Sequence, residues 1–255
     1  MPFNRREFLS LAPGGVATSL LAAKASAEVR PKTEIKAIAF DAFPIFDPRP
    51  VFARAEELFP GRGADLSNAW RTRQFEYAWL RTLSHRYADF WEVTQDSLIY
   101  AAKSLKLDLS AAQRDRLMEA YLEIRAWPDA LPALKTLQAA GVRLAFLSNF
   151  TSKMLAEGIR NAGMEGMFEH LLSADRAHAH KPDPRAYRLG VEAFKLKREE
   201  ILFAAFAGWD VAGAKWFGYP TFWVNRLKQP GEELGVTPDA VGSDLEALVR
   251  FVKAS

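Results

Sequence analysis

Short apolar runs, each closed by a polar or glycine break, set the rhythm of this chain. The first, Ala37-Ile-Ala-Phe40, is followed at once by Asp41. A run that is apolar in both alternations suits a strand buried on both faces, as in the middle of a parallel sheet. Comparable runs cover residues 142–147, 168–173, 201–206 and 221–224. Helical stretches separate them: 130–140 stopped by Gly141, 153–162 stopped by Gly163, 184–194, and a short piece over 213–217. Strands alternating with helices predict an α/β fold: a Rossmann-like, doubly wound parallel sheet with helices on both faces.

One block breaks the alternation. After the two prolines of Phe46-Asp-Pro-Arg-Pro50, residues 51–124 show no strand pattern. Apolar residues recur there at helical spacing, as in Phe75, Trp79 and Leu83, or Leu117, Tyr121 and Ile124. Ser110 and Gln113 have the spacing of a capping box. The chain is therefore expected to form an α/β core from residues 28–47 and 125–255, with residues 48–124 inserted as a helical cap.

Three predicted strands end in polar groups: Asp41, Ser148-Asn149, and Asp210 behind Trp209. In one parallel sheet these ends share an edge, where such folds bind ligands. His180-Lys181-Pro-Asp-Pro184 lies between the second and third of them. Lys181 is placed to hold Asp41 ionised, or to fix charge on a departing or transferring group. Asp41 by itself fits a nucleophile, a metal ligand or a turn residue. Ser148, Asn149 and Asp210 also fit as helix caps, and Trp79, Trp91 and Trp127 as core or interface aromatics.

Composition narrows the chemistry. Of 255 residues, 49% are apolar and 25% charged, ordinary for a globular chain with one sizeable core. The net charge of +3 is spread out and forms no basic stripe, so nucleic acid is not the expected partner. There is no cysteine, which excludes disulfides, thiol chemistry and cysteine-based zinc sites. At the N-terminus, Asn4-Arg5-Arg6-Glu7-Phe8-Leu9 is a twin-arginine pattern, followed by an apolar run over 9–23 and by Ala25-Ser26-Ala27. That order predicts an export signal over residues 1–27 and a mature chain starting near Glu28, periplasmic or exported and without a membrane span.

Taken together, Phe40-Asp-Ala-Phe43, Leu147-Ser-Asn149, His180-Lys-Pro-Asp-Pro184, Trp209-Asp210 and Gly213-Ala214 resemble the core motifs of the haloacid dehalogenase superfamily. Trp70-Arg-Thr-Arg-Gln-Phe-Glu-Tyr-Ala-Trp-Leu80 resembles the cap of its L-2-haloacid dehalogenases. Phosphatases of the superfamily carry a second, metal-binding Asp two positions after the nucleophile. Here that position is Phe43, which weakens the case for a hard cation and supplies an apolar wall.

The resemblance implies a cofactor-free and metal-free hydrolase of short 2-halocarboxylates. Asp41 would attack the halogen-bearing carbon and form an ester. Arg71 and Asn149 would cradle the halide, and Ser148 would hold the substrate carboxylate. Lys181, oriented by Tyr187, would pair with the carboxylates, and Asp210 would position or activate the hydrolytic water. Phe43, Phe75, Phe90 and Trp209 would wall the site, and Tyr187 would stand with them among the substrate-binding residues. The resemblance also implies a homodimer.

Four positions depart from the family pattern. Ile45 stands where the family has Thr, Ala205 and Ala207 where it has Ser and Asn, and Pro44 where it has Gly. The lost donors bear on ester hydrolysis more than on displacement by Asp41. Two alternatives follow: an impaired relative that binds a small carboxylate, and a phosphatase, which Phe43 disfavours.

Overall fold

The computed structural model describes residues 34–254. The leader expected over residues 1–27 and the mature start near Glu28 lie outside the described residues. Strand β1 (Ala37–Phe40) leads through a two-residue strand, β2 (Phe46–Asp47), into four helices: α1 (Arg49–Leu58), α2 (Gly63–Leu83), α3 (Phe90–Ser104) and α4 (Ala111–Glu119). The chain returns at β3 (Arg125–Ala126). It then runs α5 (Ala130–Ala139), β4 (Arg143–Ser148), α6 (Ser152–Ala162), β5 (His170–Ser173), α7 (Pro184–Phe194) and β6 (Ile201–Ala205). Last come α8 (Gly208–Phe217), β7 (Thr221–Val224), β8 (Ala240–Gly242) and α9 (Leu245–Lys253).

The sheet order is β5-β4-β1-β6-β7-β8, and every neighbouring pair is parallel. Burial of all four β1 residues follows from this central place. Ile38 and Phe40 join the larger core layer with Leu144, Phe146 and Leu202, while Ala37 and Ala39 lie on the other face, beside Phe203 of β6 and in one cluster with Tyr187. Small residues on that face leave room for the tyrosines beneath it. Strand order reverses at β1, between β4 and β6, so a crevice opens above its carboxyl end.

The insert is all helix, and β2 and β3 pair antiparallel where the chain leaves and re-enters the core. Ser110 caps α4 through the expected capping box with Gln113. Thr151, not Ser148 or Asn149, caps α6. The last core helix before β7 starts at Gly208 rather than 213, so Asp210 sits inside its first turn and Ala207 occupies the N-cap. The β2–β3 pair, β8 and α9 stand beyond the elements expected from the sequence, although α9 carries an Asp244 N-cap and an amphipathic face.

Candidate active site

Asp41 stands at the end of β1, its backbone N–H donating to the carbonyl of Ala204 on β6 at 3.0 Å. Lys181 Nζ donates to Asp41 Oδ1 at 2.9 Å and to Asp210 Oδ2 at 2.5 Å. Ser148 Oγ donates to the same Asp41 Oδ1 at 3.3 Å. The backbone N–H of Phe43 reaches Oδ2, also at 3.3 Å. Tyr187 donates its hydroxyl to Asp210 Oδ1 at 2.6 Å, and Tyr219 in turn donates to the Tyr187 carbonyl at 2.7 Å. Asp41, Lys181, Asp210 and Tyr187 thus form one continuous polar chain.

Burial sets the charge states in that chain. Desolvation works against the Lys181 ammonium, but Asp210 and Asp41 outweigh it and its pKa is raised. Burial pushes the Asp210 carboxyl up to about 6 despite the Lys181 charge beside it. Burial, with Asp210 next, lifts the Tyr187 phenol well above its usual range, so it stays a donor. The Lys181 side chain is 1% exposed and Asp210 2%, against 13% for Asp41. Only the Asp41 carboxylate faces open space.

That space is a cavity of about 450 Å³ between sheet edge and cap. Asp41, Phe43, Ser148, Asn149 and Trp209 line it from the core, and Arg71, Phe75 and Phe90 from the cap. Helical phase explains the cap wall. Trp70 and Ala78 are buried inside the cap, whereas Arg71 and Trp79, one position on, and Phe75, one turn after Arg71, line the cavity; Gln74 is buried and also borders it. The Trp70 indole anchors the helix by donating to the Thr94 carbonyl at 2.8 Å. Phe75, Trp79 and Trp209 meet edge to face or stacked, with centroids 5.1–6.1 Å apart. Arg71 is exposed and makes no hydrogen bond or ion pair among the described residues.

The amide of Asn149 is oriented from behind. Its Oδ1 accepts the Lys181 backbone N–H at 2.8 Å, which leaves the NH₂ for the cavity. Asp41 Oδ1 carries two donors, Oδ2 a single long one.

Of the residues singled out in the sequence, Asp41, Phe43, Arg71, Phe75, Phe90, Ser148, Asn149 and Trp209 come together on the cavity wall. Lys181, Tyr187 and Asp210 lie behind it. Tyr187 is fully buried with its hydroxyl on Asp210, so it does not touch substrate as the resemblance implied. Both Asp210 oxygens are engaged, so this carboxylate acts on the site through Lys181 rather than by facing the cavity. Trp79, read as a core or interface aromatic, lines the cavity between core and cap. Phe52, Tyr121, Phe150, Phe206, Trp223 and the 225–232 loop were missed as wall residues, since nothing in their local pattern separates a cavity ring from a core ring. Among the described residues, no group of three or more His, Asp or Glu side chains is arranged to hold a metal ion.

The family model for haloacid dehalogenase-like hydrolases matches residues 34–218. The haloacetate dehalogenase H-2 of Moraxella sp. (strain B) is 44% identical over 220 residues, covering 86% of this chain and 98% of that one. An (S)-2-haloacid dehalogenase of Pseudomonas sp. (strain YL) is 40% identical, covering 87% and 96%. Among solved structures, an L-2-haloacid dehalogenase at 43% identity superposes with a TM-score of 0.85, covering 87% of this chain and all of the other. The Xanthobacter autotrophicus L-2-haloacid dehalogenase with chloropropionic acid covalently bound gives 0.80 at 34% identity, covering 86% and 98%. Matched over most of its length by the family model and by relatives of this similarity, the chain belongs to the haloacid dehalogenase-like hydrolases.

Proposed function

We propose that this protein hydrolyses short L-2-haloalkanoic acids to 2-hydroxyalkanoic acids and halide, through an ester on Asp41 and without a metal. The carrying observation is a carboxylate paired with a buried ammonium and opening onto a ring-lined cavity that also holds an uncommitted guanidinium. Asp41 Oδ2, the less engaged oxygen, attacks C2 of the substrate. The carbon–halogen bond breaks, and the halide leaves with its electron pair toward Arg71 and the Asn149 NH₂. Ser148 and the backbone N–H groups beyond Asp41 hold the substrate carboxylate. Water then adds to the ester carbonyl carbon of Asp41, and the acyl C–O bond between that carbon and the ester oxygen cleaves; the 2-hydroxy acid leaves as an alkoxide that takes one proton of the water, the other goes to solvent, and the Asp41 carboxylate is restored. Lys181 stabilises charge on the carboxyl oxygens throughout, held in place by Asp210 and Tyr187. Aromatic walls strip water from the nucleophile. The covalently bound acid in the Xanthobacter structure supports the ester route. Halide release from (S)-2-chloropropanoate with and without EDTA tests the reading, and no release in either case overturns it.

Two finer features belong to the same proposal. The mature enzyme is a homodimer, supported by Leu80 and Leu83 at 58% and 78% exposure and Tyr100 at 41% on the cap helices. A monomeric mass in sedimentation would sink it. The protein is exported through the twin-arginine route, supported by a leader lying upstream of the family match that begins at residue 34. Retention of the full chain in the cytoplasm, unaltered by replacing Arg5 and Arg6 with Lys, would count against export.

A further inference from the structure

The turn that follows Asp41 is gripped from outside along its whole carbonyl edge. The Ala42 carbonyl accepts from Ile45 N–H at 3.1 Å and Phe46 N–H at 2.8 Å, within the turn itself. The next three carbonyls go to two residues distant in sequence. The Trp127 indole Nε1–H donates to the Phe43 carbonyl at 3.0 Å, and the Trp127 backbone N–H to the Ile45 carbonyl at 2.9 Å. Between them, Arg226 Nη2 donates to the Pro44 carbonyl at 2.9 Å, with Nε at 3.3 Å.

The grip is itself braced. Arg226 is 7% exposed and donates from Nη2 to Asp129 Oδ2 at 3.0 Å, and Asp129 Oδ2 also accepts the Leu245 backbone N–H at 2.7 Å. The guanidinium groups of Arg226 and Arg49 lie 4.6 and 4.5 Å from the Trp127 ring centroid. Arg49 opens the cap and is bound to Asp47, and Trp127 directly follows the strand that brings the chain back from the cap. Pro44 has no N–H, so the turn's inward donor next to the nucleophile is Phe43 N–H, which reaches Asp41 Oδ2.

We propose that Trp127 and Arg226 are positioning residues for the nucleophile, tying the carbonyls of residues 43–45 outward so that the Phe43 N–H points at the Asp41 carboxylate and incoming substrate. The tie also fastens that turn to the hinge of the cap. The guanidinium fork suits the task because one planar group serves a carbonyl, a carboxylate and a ring at once, which an ammonium does not. The inference rests on the dehalogenase reading for its catalytic consequence.

The test uses W127F, which removes one N–H and keeps a ring, and R226K, which keeps the charge and loses the fork. Each is measured beside the wild type for kcat and KM on (S)-2-chloropropanoate, for the first-turnover halide burst, and for thermal midpoint. The expected result is a fall in kcat and in burst rate of about tenfold, as for a lost hydrogen bond in the transition state, with KM little changed. A lowered midpoint with unchanged kcat at a temperature where the variant is folded overturns the proposal and leaves a purely structural role. Amide exchange of the 41–47 peptide reads the same tie without turnover. Faster exchange in W127F supports it, and unchanged exchange overturns it, even if the wild type releases no halide and the dehalogenase reading fails. W127F carries the test alone if R226K does not fold.

Discussion

On the sheet side of the cavity, each charged or polar group behind Asp41 has a partner: Lys181 with two carboxylates, Asp210 with Lys181 and Tyr187, Asn149 with a backbone N–H. On the cap side, Arg71 makes no hydrogen bond or ion pair among the described residues, and its neighbours Phe75 and Trp79 present rings. The core wall is pre-organised, its charged groups fixed by partners; the cap wall offers an unpaired cation beside aromatic rings. Chemistry with a fixed nucleophile and a departing anion needs both. Preorganised groups act without reorganising when charge develops, while an unpaired guanidinium gives the halide somewhere to go.

Perturbations on the core side are expected to be the most severe. D41N removes the nucleophile and should lower halide release by at least about 10⁴-fold, as when other covalent catalysts lose theirs; steady-state ion-selective measurement reads this. K181M should come next. It leaves two carboxylates facing each other in a site that excludes water, so chemical denaturation should show a loss of about 3–5 kcal/mol along with activity. A K181M variant as stable as wild type would mean that the ion triad is not formed. R71A tests the other wall: fold and stability should be untouched, since Arg71 holds nothing in the free protein, while kcat falls by about 10²–10³-fold. Equal loss of stability in K181M and R71A would erase the contrast between the walls.

The pH profile sharpens it further. Asp210 has its pKa raised from 3.8 to about 6, so it takes up a proton more readily folded than unfolded. From this group alone, stability is highest at low pH and declines as pH rises through that window. Activity runs the other way: protonation of Asp210 below about pH 6 removes one of the two negative charges that hold Lys181, and kcat should fall about tenfold per unit on that limb. In D210N the limb should vanish from what activity is left. The smallest effect is expected from F75A, which opens the cap wall and should raise KM by roughly ten- to a hundredfold with lesser change in kcat.

Local pattern was sufficient for much of this molecule. Residues 37–40 and 201–205 are apolar in both alternations because they lie in central strands, and that burial is written in the side chains themselves. Ser110 with Gln113 marks a helix start by chemistry confined to four residues. The motifs around Asp41, Arg71, Ser148, Asn149 and Lys181 were legible for the same reason: each is short, contiguous and chemically distinctive. The β2–β3 pair escaped because two-residue strands have no period to detect, and α8 was started late because Gly208 and Ala207 carry no capping side chain.

What the chain order alone determined, then, is the alternation of strand and helix, the helical insert, and which polar groups end up on one edge of the sheet. Which of them face the cavity was decided only in three dimensions. Tyr187 and Asp210 retreat behind Lys181, Trp79 turns toward the cavity, and Arg226, 185 positions after Asp41 in the sequence, grips the turn that Asp41 begins. Side-chain direction and long-range hydrogen bonds depend on how layers pack, and no local period encodes that.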